Sequence, residues 1–243
     1  MKIVKPYARI MERELLTTAL SRIEYAARIS HRSEENAGLD PQRFIKSVVI
    51  DHGDWSVVEH ISVSVEMVVD RGITHEIVRH RIASYTQEST RFVNYAKKMP
   101  PAFIYPKLNV ECIYCTGNDT PTPRIDNSKP WLHGLGEVEC SYDPSWLMGI
   151  YIAEESYKAL LIKGWRPQEA RSVFPNALAS KIIITMNLRS WRHFFLMRTS
   201  KEAHPQMRQV TIPLLSEFKK LIPVLYDDII PESRQIDNIC KGN

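Results

Sequence analysis

The chain has 243 residues, 44% hydrophobic and 25% charged, the balance of a soluble globular protein, which excludes disorder as its default state. Its formal charge of +4 and pI near 8.8 suit anionic small molecules as well as nucleic acid, so charge alone selects neither. No run approaches the ~18 apolar residues of a membrane-spanning helix. The opening Met1-Lys2-Ile3-Val4-Lys5-Pro6 has no apolar signal core, so a cytoplasmic protein without membrane contact is expected.

Leu15, Leu16, Ala19, Leu20, Ile23, Ala26 and Ala27 recur at helical spacing and predict a helix over residues 12–29. Asp40-Pro41 is a helix start, with Asp40 as N-cap and Pro41 at the first helical position, and His52-Gly53 ends that helix. Over residues 61–70 the pattern becomes strict alternation, broken only at Val68. Ile61, Val63, Val65, Met67 and Val69 lie on one face of this predicted strand. A short helix over 73–81 should follow. From about 99 to 144 periodicity is lost, and Pro, Gly, Asn and Asp recur, which reads as an irregular insertion with a short hairpin inside one domain spanning 1–243. Helical spacing returns over 144–163, with Gly164 as a stop. A short helix at 167–174, a strand at 182–187, a helix at 190–199 and a long helix at 205–222 complete the chain. The fold class is α+β, with long helices packed on an antiparallel sheet.

Cys112, Cys115 and Cys140, with His133 between the last two, are zinc-ligand types. Their spacing matches no standard finger, so an incidental loop cluster is expected and no metal.

Arginines and histidines gather at 71–91 and 189–208. Successive residues on a helix diverge by about 100°. Arg79, His80 and Arg81 therefore serve one ligand only at a helix end, or different ligands at a subunit junction, or else form a solvated basic helix end. Ser84, Ser89, Thr90 and Arg91 follow as a hydroxyl-rich loop closed by a guanidinium, a donor set that suits a phosphate. Neither a Gly-x-x-x-x-Gly-Lys loop nor a Gly-x-Gly-x-x-Gly turn is present, which points to a monophosphate. Ser89 has no histidine or lysine beside it in sequence to activate it, so it reads as a phosphate-binding hydroxyl and not as a nucleophile. Phe194, Phe195, Leu196 and Met197 read as core packing.

The segment Arg79-His80-Arg81…Ser89-Thr90-Arg91 resembles the signature of the flavin-dependent thymidylate synthases. So do Ala26-Ala27-Arg28-Ile29-Ser30 and His52-Gly53…Ser56-Val57-Val58-Glu59-His60. Arg166-Pro167-Gln168-Glu169-Ala170-Arg171…Pro175 and Asn187-Leu188-Arg189-Ser190-Trp191-Arg192-His193-Phe194…Arg198 extend the likeness to about residue 210. The resemblance implies conversion of dUMP to dTMP, with methylenetetrahydrofolate as carbon donor and NADPH as reductant through bound FAD. It also implies a homotetramer whose active sites draw on several subunits.

By family match, Glu76, Ile77, Val78, Arg79, Gln87, Glu88, Ser89, Thr90, Arg91 and Arg171 line the nucleotide. Ser56, Arg79, His80, Arg81, Gln87, Asn187, Leu188, Arg189 and His193 contact FAD, and Arg198 sits at the uracil ring as the catalytic residue. A fixed cation there stabilises charge developing on the ring. On the helix from Ser190, His193 shares a face with Arg189 while Arg198 lies about half a turn away, so the helix is expected to face flavin on one side and nucleotide on the other. The chain departs from the family at Gln87-Glu88, Glu76, Asp54-Trp55 and Phe92. Competing readings are another pyrimidine- or folate-linked flavoprotein and an arginine-rich nucleic-acid-binding module; the latter calls for clustered lysines, whereas these arginines sit among serine, glutamine and histidine.

Overall fold

The strand predicted from alternation is the spine of the molecule. In a computed structural model, which describes residues 2–38, 40–97, 99–106 and 142–231, it runs Ser62–Asp70. Taken in chain order, strands β1 (Lys2–Ile3) and β2 (Tyr7–Ile10) precede helices α1 (Arg13–Thr17), α2 (Ala19–Arg28) and α3 (Pro41–Ile45). Then come β3 (Ser62–Asp70), α4 (Arg71–Ile77), β4 (Ser84–Gln87) and β5 (Ala102–Phe103). Helices α5 (Pro144–Ile162) and α6 (Pro167–Ala170), strand β6 (Ala179–Asn187), and α7 (Leu188–Arg198), α8 (Pro205–Leu221) and α9 (Pro223–Tyr226) complete the described fold.

Four strands pair in the order β2-β3-β6-β4, all antiparallel, with Val65 opposite Ile184 and Tyr85 opposite Ile184 on the other side. Val63, Val65, Met67 and Val69 are buried on one face together with Ile182, Ile184 and Met186. Trp191, Phe194 and Phe195 of α7 and Met207, Leu214 and Phe218 of α8 complete this core. Burying each large side chain contributes roughly 1.5–3 kcal/mol. The indole N–H of Trp191 donates to the Val63 carbonyl (3.0 Å), so the helix is pinned to the sheet by a bond as well as by packing. Two strands, β1 and β5, pair separately in parallel.

Several expectations need correction. The first predicted helix breaks at Thr18, because the hydroxyls of Thr17 and Thr18 bond back to the carbonyls of Glu14 and Leu15 and compete with the backbone ladder. The second begins on its Asp40 cap as expected but widens into a π-helix over Lys46–Asp51. Helix α4 stops at Ile77, so Arg79-His80-Arg81 lies in the turn beyond it and not on a helix. Residues 84–87, expected as part of a loop, form edge strand β4. Of the 99–144 stretch, β5 and the segment up to Pro106 are described. Cys112, Cys115, His133 and Cys140 lie outside the described residues. Among the described residues no helix is long and apolar enough to cross a membrane.

Candidate active site

Helix α4 organises the site. Asp70, the last residue of β3, turns its carboxylate to accept from the Ile73 N–H (2.9 Å) and caps the helix. A Cβ at residue 72 would stand 3.1 Å from that carboxylate oxygen, so the close approach favours Gly72. At the other end the Tyr85 hydroxyl lies 2.8 Å from the His80 carbonyl and 3.0 Å from that of Ile77. Burial raises the Tyr85 pKa, so the hydroxyl keeps the proton that ties β4 to the turn. Tyr85 was not among the expected site residues. Its place in the signature segment was the one available clue.

That turn separates the three cationic residues. Arg79 and Arg81 are exposed, whereas His80 is buried, 7% accessible. The His80 ring packs edge-on to Phe194 (centroids 4.8 Å) and stands 6.2 Å from the His193 ring. Its Nε2 accepts from Arg198 Nε at 2.7 Å. An arginine can only donate, so Nε2 is the unprotonated nitrogen and the ring proton of a neutral His80 sits on Nδ1. Burial, the Arg198 cation and His193 hold the His80 pKa down to about 4, so the ring is neutral at neutral pH. Arg198 also donates from Nη1 to the Glu76 carboxylate (2.8 Å) and from Nη2 to the Glu76 carbonyl (3.3 Å). Its side chain is 17% accessible. His193 and Arg198, expected to face different ligands from opposite sides of α7, thus both stand beside His80.

A second cluster forms where the residues after β4 pass α6. Thr90 is buried, and its hydroxyl accepts from Arg171 Nη1 at 2.9 Å. Arg91 Nε donates to Gln168 Oε1 (3.2 Å). Arg71, Thr90, Gln168, Arg171 and Ser172 line a cavity of about 430 Å³. Ser89 Oγ accepts from the Arg91 N–H, a turn contact. Gln87 spends its amide nitrogen on the hydroxyls of Thr74 and Ser180 (2.9 and 3.0 Å), tying β4 to α4. Glu88 accepts from the Tyr95 hydroxyl (2.9 Å), whose pKa is raised by burial and by that carboxylate.

The start of α7 makes a third group. Asn187 caps the helix by accepting from Ser190 N–H (2.8 Å), and Arg189 pairs with Glu59 (2.6 Å) on the segment that carries Ser56. Ser56 itself donates to Asp54. Leu188 and Ile77 point into the core, while Val78 is partly exposed. Phe194 and Phe195 are core as expected, but Leu196 and Met197 are about half exposed (50% and 48%).

Comparison with known proteins identifies the family. A family model described as thymidylate synthase complementing protein matches residues 14–224. A flavin-dependent thymidylate synthase of Mycobacterium sp. (strain KMS) is 34% identical over 183 residues, 74% of this chain and 67% of that one. The chain belongs to the flavin-dependent thymidylate synthase family. Another member, from Corynebacterium efficiens, is 29% identical over 227 residues, covering 90% of this chain and 81% of its own. The fold agrees with solved structures. ThyX of Helicobacter pylori, a flavin-dependent thymidylate synthase complexed with FAD and dUMP, superposes with a TM-score of 0.65 at 19% identity, over 93% of this chain and 100% of that one. The UMP/dUMP methylase PolB of Streptomyces cacaoi gives 0.65 at 22% identity, over 93% and 96%.

Proposed function

We propose that this chain methylates dUMP to dTMP, using methylenetetrahydrofolate as carbon donor and NADPH as reductant through bound FAD. The observation that carries the reading is Arg198, a cation held at three of its nitrogens by Glu76 and a neutral His80. A guanidinium fixed before the reaction stabilises negative charge on a pyrimidine ring without reorganising. Arginine suits the task because it stays protonated when partly buried.

The chemistry of the remaining groups fits the two anionic ligands. Thr90, Arg91 and Arg171, with the backbone around Ser89, form the phosphate end of the dUMP site. Ser56, Asn187 and Arg189, with the exposed Arg79 and Arg81, suit the diphosphate of FAD, and His80 and His193 stand nearer the ring system. The Arg189–Glu59 pair is exposed on both sides, and such pairs contribute little, so the guanidinium can exchange its carboxylate for a phosphate. When bound, FAD supplies hydride chemistry that no side chain provides. The protein is a homotetramer in this reading, and the exposed Ile82, Phe92, Leu196 and Met197 beside the cations are the surfaces that other subunits cover. Its place is the cytoplasm.

The test is a visible-absorbance titration of the purified protein with FAD. Saturable binding with a perturbed flavin spectrum is expected. Protein that leaves the flavin spectrum unchanged would sink the proposal.

A further inference from the structure

Glu76 engages Arg198 twice, through its carboxylate at Nη1 and its backbone carbonyl at Nη2, while His80 takes Nε. Three of the five N–H groups of the guanidinium are therefore committed within the chain, and two are left for a ligand. The three acceptors are not equivalent. The carbonyl and the neutral imidazole orient the guanidinium without cancelling its charge. The carboxylate does both, so a ligand meets an ion pair instead of a bare cation.

We infer that Glu76 is a positioning residue that fixes Arg198 and, through its own negative charge, sets how strongly Arg198 favours an ionised pyrimidine ring. The inference rests on the placing of Arg198 at the ring in the proposed function. The cation lowers the energy of a ring that has lost its N3 proton, and the carboxylate beside it raises that energy by repulsion. The two effects oppose each other, and the carboxylate also keeps the guanidinium aimed at the ring.

Other titratable groups near the pair are few. His80 bonds Arg198 and its ring stands 6.2 Å from that of His193, and Asp70 and His204 line with Glu76 a cavity of about 290 Å³. From α8, Thr211 donates its hydroxyl to the Arg198 carbonyl and adds no charge. Glu76 is thus the one carboxylate bonded to this guanidinium among the described residues.

Two substitutions separate charge from position. Glu76→Gln keeps an acceptor of the same reach and removes the charge. Glu76→Asp keeps the charge and shortens the reach. The probe is 5-bromo-dUMP bound to the FAD-loaded protein, because the bromine acidifies the ring and brings its ionisation into an accessible range. Ring ionisation is followed by ultraviolet difference absorbance from neutral to alkaline pH.

Glu76→Gln is expected to lower the ionisation midpoint by about one pH unit, the effect of losing one like charge within a few ångströms. Glu76→Asp should leave the midpoint near that of the unsubstituted protein but lower the turnover of dUMP about tenfold through misplacement of Arg198. Arg198→Ala should raise the midpoint. If Arg198→Ala raises it and Glu76→Gln leaves it unmoved, the role of Glu76 is overturned while the placing of Arg198 stands. If neither substitution moves it, the placing of Arg198 fails and this inference with it.

Discussion

Arg189 and Arg198 lie at opposite ends of the same helix, yet the structure treats them in opposite ways. Arg198 is mostly buried and bonded to a carboxylate, a carbonyl and an imidazole. Arg189 is 53% accessible in its side chain and holds a single surface carboxylate, in company with the exposed Arg79 and Arg81. A buried, locked cation is suited to charge that arises at one atom during a reaction. Exposed cations are suited to ligands that arrive already charged, since an exposed pair is readily exchanged. In the proposed function, this difference separates the arginine assigned to catalysis from those assigned to binding.

Replacing Arg198 by Ala tests this separation most severely. It should lower dTMP formation by about 10²-fold or more, the usual effect of losing a fixed transition-state donor, while FAD affinity changes little. Parallel steady-state assays and FAD titrations give both quantities, and an equal loss of the two breaks the distinction. A smaller effect is expected at the phosphate cluster. Arg171→Ala should weaken dUMP binding roughly tenfold, as expected for a charge-assisted hydrogen bond, and leave turnover at saturation nearly intact. Calorimetry with deoxyuridine sharpens the point, because a ligand without phosphate should be indifferent to the substitution.

His80 offers a test through stability. Its folded pKa of about 4 lies below the ordinary value of 6.5, so on acidification the unfolded chain takes up the proton first. The stability that depends on neutral His80 is complete above about pH 6.5 and is lost as pH falls toward about 4, by at most about 1.4 kcal/mol per pH unit for one proton. Urea midpoints at pH 7 and pH 5 should therefore differ more in the unsubstituted protein than in His80→Gln. An identical difference in both would show that His80 is not held neutral by its site.

How much of this was legible in the amino-acid order varies with the range of the interactions involved. Strand β3 was, because Val63, Val65, Met67 and Val69 alternate against one continuous core. The N-cap at Asp40, with its local bond, follows the same logic, whereas the cap at Asn187 was not expected and α7 begins two residues before Ser190. Strands β2 and β4 were not legible. Ser84–Gln87 and Tyr7–Ile10 are short edge strands with little apolar pattern, and they become strands by pairing with β6 and β3 far along the chain. The candidate site shows the same division. The residues proposed to hold phosphate and flavin stood in recognisable motifs. The convergence of Glu76, His80 and Arg198 spans 118 and 122 positions, and only the tertiary fold produces it. The neutrality of His80 likewise depends on burial against Phe194, which no local spacing encodes.

The most direct measurement is dTMP production from dUMP by the purified protein supplied with FAD, NADPH and methylenetetrahydrofolate, with each omitted in turn. The account predicts product with the complete mixture, and none when the folate or the reductant is left out or when protein stripped of flavin receives no FAD. Protein saturated with FAD that forms no dTMP from the complete mixture, or that forms it equally well after flavin is stripped, would contradict it.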